Sequence, residues 1–372
     1  MRILSEQDLE DLLVGARILG TGGGGEVEWA KPLVYEVFRE GWEFKIMDIS
    51  EIPRGELLAI VGAVGGGVEE DIKRKVERLP KLKERPEILA ENLLSDFLKK
   101  KPYALVPSEI GPGNTVLPLY VAAVTGRGVV DGDCCGRAKP EIAISTTNVM
   151  KLSITPLAIS TPFGDSMILT KTVDDYRAED LCRFMAIASG GLCGVARCPN
   201  KAEDYERALV KGSISDSIRI GGEVRRALSS GGDPITAVAE ALNGYRLFEG
   251  EVESFKRQEK SGFMWGTIKL KGIEEDKGHI MKIWFKNEYL ISWLDGKPFV
   301  TCPDTICIID AEKGDGLSCW GDDFKPGRCV AVIGRQSHKI WRTNDGIKIF
   351  GPRHFGFDID YKPIEELVKE TK

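Results

Sequence analysis

The chain has 372 residues, 42% of them hydrophobic and 29% charged, which is globular composition and too long for one ordinary core. With 51 basic and 57 acidic residues the net charge is −6, and no basic stripe stands out, which argues against nucleic acid as the main partner. No apolar run reaches the length of a membrane span, and the amphipathic start MRILSEQDLEDLL lacks the apolar core and cleavage site of a signal peptide, so a cytoplasmic protein is the simplest expectation.

The first predicted helix is capped by Ser5, with Asp8 at the third position, and carries Leu9, Leu12, Leu13, Ala16 and Leu19 at helical spacing. Gly20 is expected to close it in a left-handed conformation, and the run Gly22-Gly23-Gly24-Gly25 follows. A short helix comes next, with Pro32 in its first turn and Gly41 past its end. Strands are predicted over 44–49 and 57–62, then Gly65-Gly66-Gly67 and a charged helix from about Val68. Pro80 and Pro86 break the Lys- and Glu-rich stretch 71–102 into short helices. A strand over 103–106, a helix capped by Asn114 and a strand over 128–131 complete an alternating pattern that implies a mostly parallel sheet.

The character changes from about Pro162. Residues 174–243 read as helical, with Leu181, Phe184, Met185 and Ala188 on one face and Gly190-Gly191 at its end. Residues 245–349 read as strands with turns at Asp276–Gly278, Asp295-Gly296 and Asp315-Gly316. The predicted fold is α/β: a mostly parallel-sheet N-terminal domain over 1–165, then a β-rich domain carrying a helical insert over 166–372.

Gly20, Gly22 and Gly25 match GxGxxG, and Asp48 lies near the position of a ribose-binding acid. That fingerprint needs a strand before the first glycine, and an amphipathic helix precedes it here, so no nicotinamide or flavin cofactor is expected. The loop is read instead as facing a ligand, with backbone N–H groups bare enough to bind an anion or a carbonyl oxygen. The segment VVDGDCCGRAKPE places Asp131, Asp133, Arg137 and Glu141 just beyond a strand, where open α/β sheets bind ligands. Gly65–Gly67, and Ser108-Glu109 with Asn114, mark two further strand ends. Paired carboxylates divide acid and base roles when their environments separate their pKa values, and Arg137 could clamp a substrate carboxylate or form an ordinary ion pair.

Nine cysteines, none in a CxxC pair, argue against a disulfide framework or zinc finger. Cys134-Cys135 beside carboxylates are poor nucleophiles, and His279, His338 and His354 lie far away in sequence. Asp131, Asp133 and Glu141 are hard ligands that suit magnesium or manganese better than zinc, and the metal is left unassigned.

The segments ARILGTGGGG, VDGDCCGRAKPE, GFMWG, KNEYL, PDTICIID and GPRHFGFD together resemble the S-methyl thiohydantoin desulfurase family, across nearly the whole chain. The resemblance implies a hydrolase-like enzyme that adds water to a five-membered ring and releases sulfur as a thiol, leaving a hydantoin. Family members normally carry glycine and methionine where Cys134 and Cys135 stand. On this reading Asp133 would activate the water and Glu141 would protonate the ring nitrogen, with Asp131 and Arg137 beside them. Thr21, Gly22, Gly23, Gly24, Gly25, Glu109 and Asn114 would bind a small-molecule substrate. The family's association with hydantoinase and oxoprolinase proteins also leaves open a non-catalytic partner subunit of such a complex, or a homo-oligomer.

Overall fold

The computed structural model describes residues 1–371. The first sheet has eight strands in the order Arg2–Ile3, Lys45–Met47, Gly128–Val130, Ala104–Val106, Leu57–Gly65, Leu192–Lys201, Leu157–Ser160, Ser166–Leu169. Its centre, from Lys45–Met47 to Leu57–Gly65, is parallel, and antiparallel strands flank it on both sides. The central strands are short apolar runs because both of their faces are covered. Ala59, Val61, Leu105 and Val129 face the helices Glu6–Leu19, Val27–Arg39 and Pro112–Val124. Leu58, Ile60, Val106 and Val130 face the other way, onto Leu152, Tyr205 and Leu209.

The stretch 174–243 is not helical throughout: Leu192–Lys201 returns to the first sheet between Leu57–Gly65 and Leu157–Ser160. Three helices follow, Ala202–Ala208, Ser213–Ser229 and Pro234–Ala241. The second sheet is a seven-stranded antiparallel half-barrel ordered Lys297–Thr301, Glu288–Leu294, Ile280–Lys286, Phe263–Gly272, Tyr245–Lys260, Cys329–Arg335, Thr305–Asp310. The protein is thus a two-domain α/β structure.

The two strands at one edge of the half-barrel join the domains. Ile306, Ile308, Val330 and Val332 face the half-barrel's own core, whereas Cys307, Ile309, Ala331 and Ile333 enter the core of the first domain. Helix Glu6–Leu19 also packs backbone to backbone on Ser213–Ser229. A Cβ on Gly15 would lie 1.9 Å from the Ser217 carbonyl oxygen, and one on Gly221 would lie 1.9 Å from that of Asp11.

Local expectations meet corrections with physical causes. The Ser5–Asp8 capping box forms. Gly20 stays right-handed (φ −65°), and the turn falls on Thr21 (φ 49°) and Gly22 (φ 88°), where Tyr289 N–H and the Arg137 guanidinium hold Thr21. Pro32 sits in the second turn of its helix, which begins at Val27. Asn114 lies inside the first turn of Pro112–Val124, and Gly111 is the cap. On the helix Asp175–Ala188 the buried stripe is Ala178, Cys182 and Ala186, while Phe184 is exposed, so the apolar residues marked the wrong face.

Arg137 ties the domains together. Its guanidinium is buried and donates to Ala138 O (3.1 Å), Asp304 O (3.0 Å), Thr21 Oγ1 (2.7 Å) and Tyr289 O (2.7 Å). Hydrogen bonds from a charged donor contribute about 1.5–3 kcal/mol each, and an orphaned buried acceptor costs a similar amount. Replacement Arg137→Met should therefore destabilise the protein by about 3 kcal/mol or more, read as a lowered denaturant midpoint. An unchanged midpoint would show that the clamp is dispensable.

Candidate functional site

At the carboxyl ends of the central parallel strands lies a cavity of about 400 Å³. The first domain supplies Gly62–Gly65, Ser108, Glu109 and Asn114, the loop Gly24-Gly25, and Lys139-Pro140-Glu141. The second domain closes it with Asn287 and Glu288, at the turn between Ile280–Lys286 and Glu288–Leu294, and with Trp320. Trp29, Val64, Ile142 and Leu192 give the wall an apolar component.

Two buried carboxyl groups dominate the chemistry. Glu109 accepts from the Asn114 side-chain amide through Oε1 and from Lys139 N–H at 3.3 Å through Oε2, while Lys139 Nζ lies 3.9 Å from Oε2. Burial raises its pKa, and Lys139 and Asn114 hold that rise in check. Glu288 is 3% exposed, and its Oε2 has no hydrogen-bond partner among the described residues. Burial and then the charge of Glu109 push its carboxyl well above the usual range, against the opposing pull of Arg137, Lys139 and the Gly24 amide. Two carboxyl groups sharing one site do not both ionise readily, and burial raises both, Glu288 the more strongly because Glu109 has Lys139 and the Asn114 amide beside it.

Glu141 behaves differently. Its carboxylate pairs with Lys286 through Oε1 and lies 3.0 Å from His354 Nε2 through Oε2. Burial pushes the group up, but His354 and Lys286 outweigh it and hold its pKa at about 2. Such a carboxylate has no proton to give at neutral pH, which removes the acid role expected for Glu141. Lys286 is itself packed against the rings of Phe263 (3.9 Å) and Trp265 (5.0 Å).

The structure divides the residues singled out in the sequence. Gly24, Gly25, Glu109, Asn114 and Glu141 line the cavity together. Thr21, Gly22 and Gly23 do not; they form the seat of the second-domain hairpin. A Cβ on Gly22 would lie 2.5 Å from the Tyr289 ring, and one on Gly23 would lie 2.2 Å from Glu288 Oε1. The loop amides are less bare than expected, since Gly23 N–H donates to Gly20 O at 2.8 Å and that of Gly24 faces Glu288. This loop joins two helices, so the strand that a dinucleotide fingerprint requires is absent from it.

Asp131, Asp133 and Arg137 lie outside the cavity lining. Asp131 receives Ser215 N–H (3.0 Å) and Ser215 Oγ (2.6 Å) at the start of Ser213–Ser229. Asp133 Oδ2 accepts from Cys135 N–H and Gly136 N–H, each at 2.7 Å, and so shapes its own turn. Arg137 spends its donors on the protein. Cys134 and Cys135 are buried, and burial raises both thiols. His279 pairs with Asp295 at the surface and His338 caps a short helix, leaving His354 as the histidine beside Glu141. Among the described residues no three His, Cys, Asp or Glu side chains converge as a metal-holding group.

Lys139, Lys286, Glu288 and His354 were not anticipated in their roles. Glu288 and Lys286 stand in KNEYL, and the signal available was an acid opening an otherwise apolar strand, Glu288-Tyr289-Leu290-Ile291.

A cleft between two domains, at the carboxyl ends of parallel strands and lined by paired carboxyl groups, has the position and lining at which α/β proteins commonly hold small molecules. The chain belongs to the S-Me-THD-like family: the family's N-terminal domain model matches residues 7–171 and its C-terminal domain model residues 173–364. This is the S-methyl thiohydantoin desulfurase family that the motifs resemble. A crystal structure of a protein from Chromobacterium violaceum shares the fold with a TM-score of 0.79, at 23% identity over 98% of this chain and 100% of that one. No curated protein matches. No helix among the described residues is long and apolar enough to cross a membrane.

The Asp133 environment has a direct test. Burial lifts its carboxyl to about 7, in spite of the two amides and the Ser213 hydroxyl facing it. A native pKa above the unfolded value means that the folded state holds the proton more tightly. The group's contribution is intact below about pH 4 and is lost as pH rises through about 7, a change of about 4 kcal/mol at most. In Asp133→Asn that slope disappears, so the melting midpoint of the variant relative to the native protein should rise between pH 5 and pH 8. A constant difference would mean that Asp133 is already ionised in the fold.

Proposed function

We propose that this protein is a hydrolase-type enzyme that acts on an S-methyl thiohydantoin or closely related five-membered ring, releasing a thiol and leaving a hydantoin. The observation that carries the proposal is the pair Glu109 and Glu288, two buried carboxyl groups of unlike environment facing one cavity. Family membership supplies the ring chemistry, and the pair supplies what that chemistry needs.

In this reading the ionised Glu109 takes a proton from water as its oxygen bonds to the ring carbon bearing sulfur. Glu288 gives its proton to the adjacent ring nitrogen, so the C=N bond becomes C–N. The tetrahedral carbon then collapses: the C–S bond breaks, the departing sulfur takes the proton now on Glu109, and the new hydroxyl returns a proton to Glu288 as it becomes C=O. One water is consumed, one thiol is released, and both carboxyl groups regain their starting state. Glu141, held by Lys286 and His354, takes no part in these transfers and holds its place in the cavity wall.

Purified protein should release thiol from an S-methyl thiohydantoin with no second subunit present, and a strict need for a partner would favour an accessory role. Glu109→Gln and Glu288→Gln should each lower kcat by about 10²–10⁴-fold while the fold stays intact. The pH profile should be bell-shaped, falling in acid as Glu109 gains its proton and in base as Glu288 loses its own. Near-native turnover in either folded variant would remove that residue from the chemistry.

A further inference from the structure

We infer that Ser108 is a specificity-determining catalytic residue that donates a hydrogen bond to the ring's exocyclic carbonyl oxygen, so that the site selects five-membered rings bearing that carbonyl. The inference rests on the five-membered-ring reading above and adds to it the atom that the site recognises.

The hydroxyl's polarity is set by its neighbours. A serine oxygen has two lone pairs and one proton. Lys139 Nζ donates to Ser108 Oγ from 3.1 Å, and Arg197 Nη2 donates from 2.8 Å. Both cations are buried, so these bonds are poorly screened. With both lone pairs taken, the hydroxyl can only donate. Among the described residues no hydrogen bond gives the Ser108 proton a protein acceptor, and Ser108 lines the cavity. The site therefore presents a polarised donor a residue away from Glu109, and its complement is an acceptor that carries no hydrogen. In a thiohydantoin-type ring the exocyclic carbonyl oxygen is that acceptor, while an N–H edge is rejected. The two cations also make this donor strongest when negative charge builds on the oxygen, as it does while the conjugated ring carbon is attacked.

Apolar lining cannot supply this selectivity, because Trp29, Val64, Ile142 and Leu192 accept ring faces of either kind. Glu109 and Glu288 act on the water and the ring nitrogen and leave the carbonyl unread. Ser108 fills that place, with Lys139 and Arg197 as positioning residues behind it.

The test is binding of two probe rings, hydantoin and imidazolidin-2-one, which lacks the second carbonyl, measured by calorimetry. Native protein should bind hydantoin more tightly. Ser108→Ala should weaken hydantoin by roughly 10-fold to 100-fold and leave imidazolidin-2-one within about twofold. Ser108→Thr, which keeps the hydroxyl, should restore the preference. Equal loss for both rings, or an unchanged preference in folded Ser108→Ala, would overturn the role of Ser108 while leaving the ring assignment standing. Failure of the native protein to bind either ring would overturn the ring assignment and the inference built on it.

Discussion

The site depends on one costly placement: the second domain delivers the buried Glu288 carboxyl to the cavity of the first. A buried carboxylate without a full set of partners is expensive, and the usual relief is to keep the proton. The glycine loop makes the approach possible, because a side chain at Gly23 would occupy the space of Glu288 Oε1. Arg137 holds the same hairpin through Tyr289 O and lends its charge nearby. The loop, the clamp and the carboxyl form one device, and neither domain owns the site alone.

Around that device the buried charges are arranged in contrast. Glu141 is surrounded by Lys286 and His354 and stays ionised. Glu109 has Lys139 and Asn114, which partly offset its burial. Glu288 has a backbone amide and the charges of Arg137 and Lys139, which do not offset its burial. Three carboxyl groups within one cavity wall thus meet three different environments, set by partners rather than by residue type. That is the pattern acid–base chemistry at neutral pH requires. Lys139 takes part twice, since it lies near Glu109 and donates to Ser108.

Much of the first domain was legible because its short apolar strands alternate with helices, and period and turn signals are local properties of sequence. The strand Leu192–Lys201 was not legible, since its alternation is masked by being buried on both faces within a stretch that otherwise reads as helical. The helix Asp175–Ala188 misled because it buries Glu179 and Arg183 as an ion pair and leaves Phe184 outside. Sequence proximity gathered Asp131, Asp133, Arg137 and Glu141 into one cluster, but the chain turns at Gly136 and only the far end reaches the cavity. Strand-end logic pointed to Glu109 and Asn114, and both line the cavity. Glu288 comes from a hairpin 179 residues beyond Glu109, and no local pattern reports which domain surface will meet another.

The central claim is that Glu288 is protonated at neutral pH beside an ionised Glu109. Infrared difference spectroscopy between native protein and folded Glu288→Gln at pH 7 tests it directly through the protonated-carboxyl C=O stretch. The account predicts a carboxylic-acid band in the native protein that is missing from the variant. Loss of a carboxylate band instead, with no change in the carboxylic-acid region, would show that Glu288 is ionised and would contradict the account.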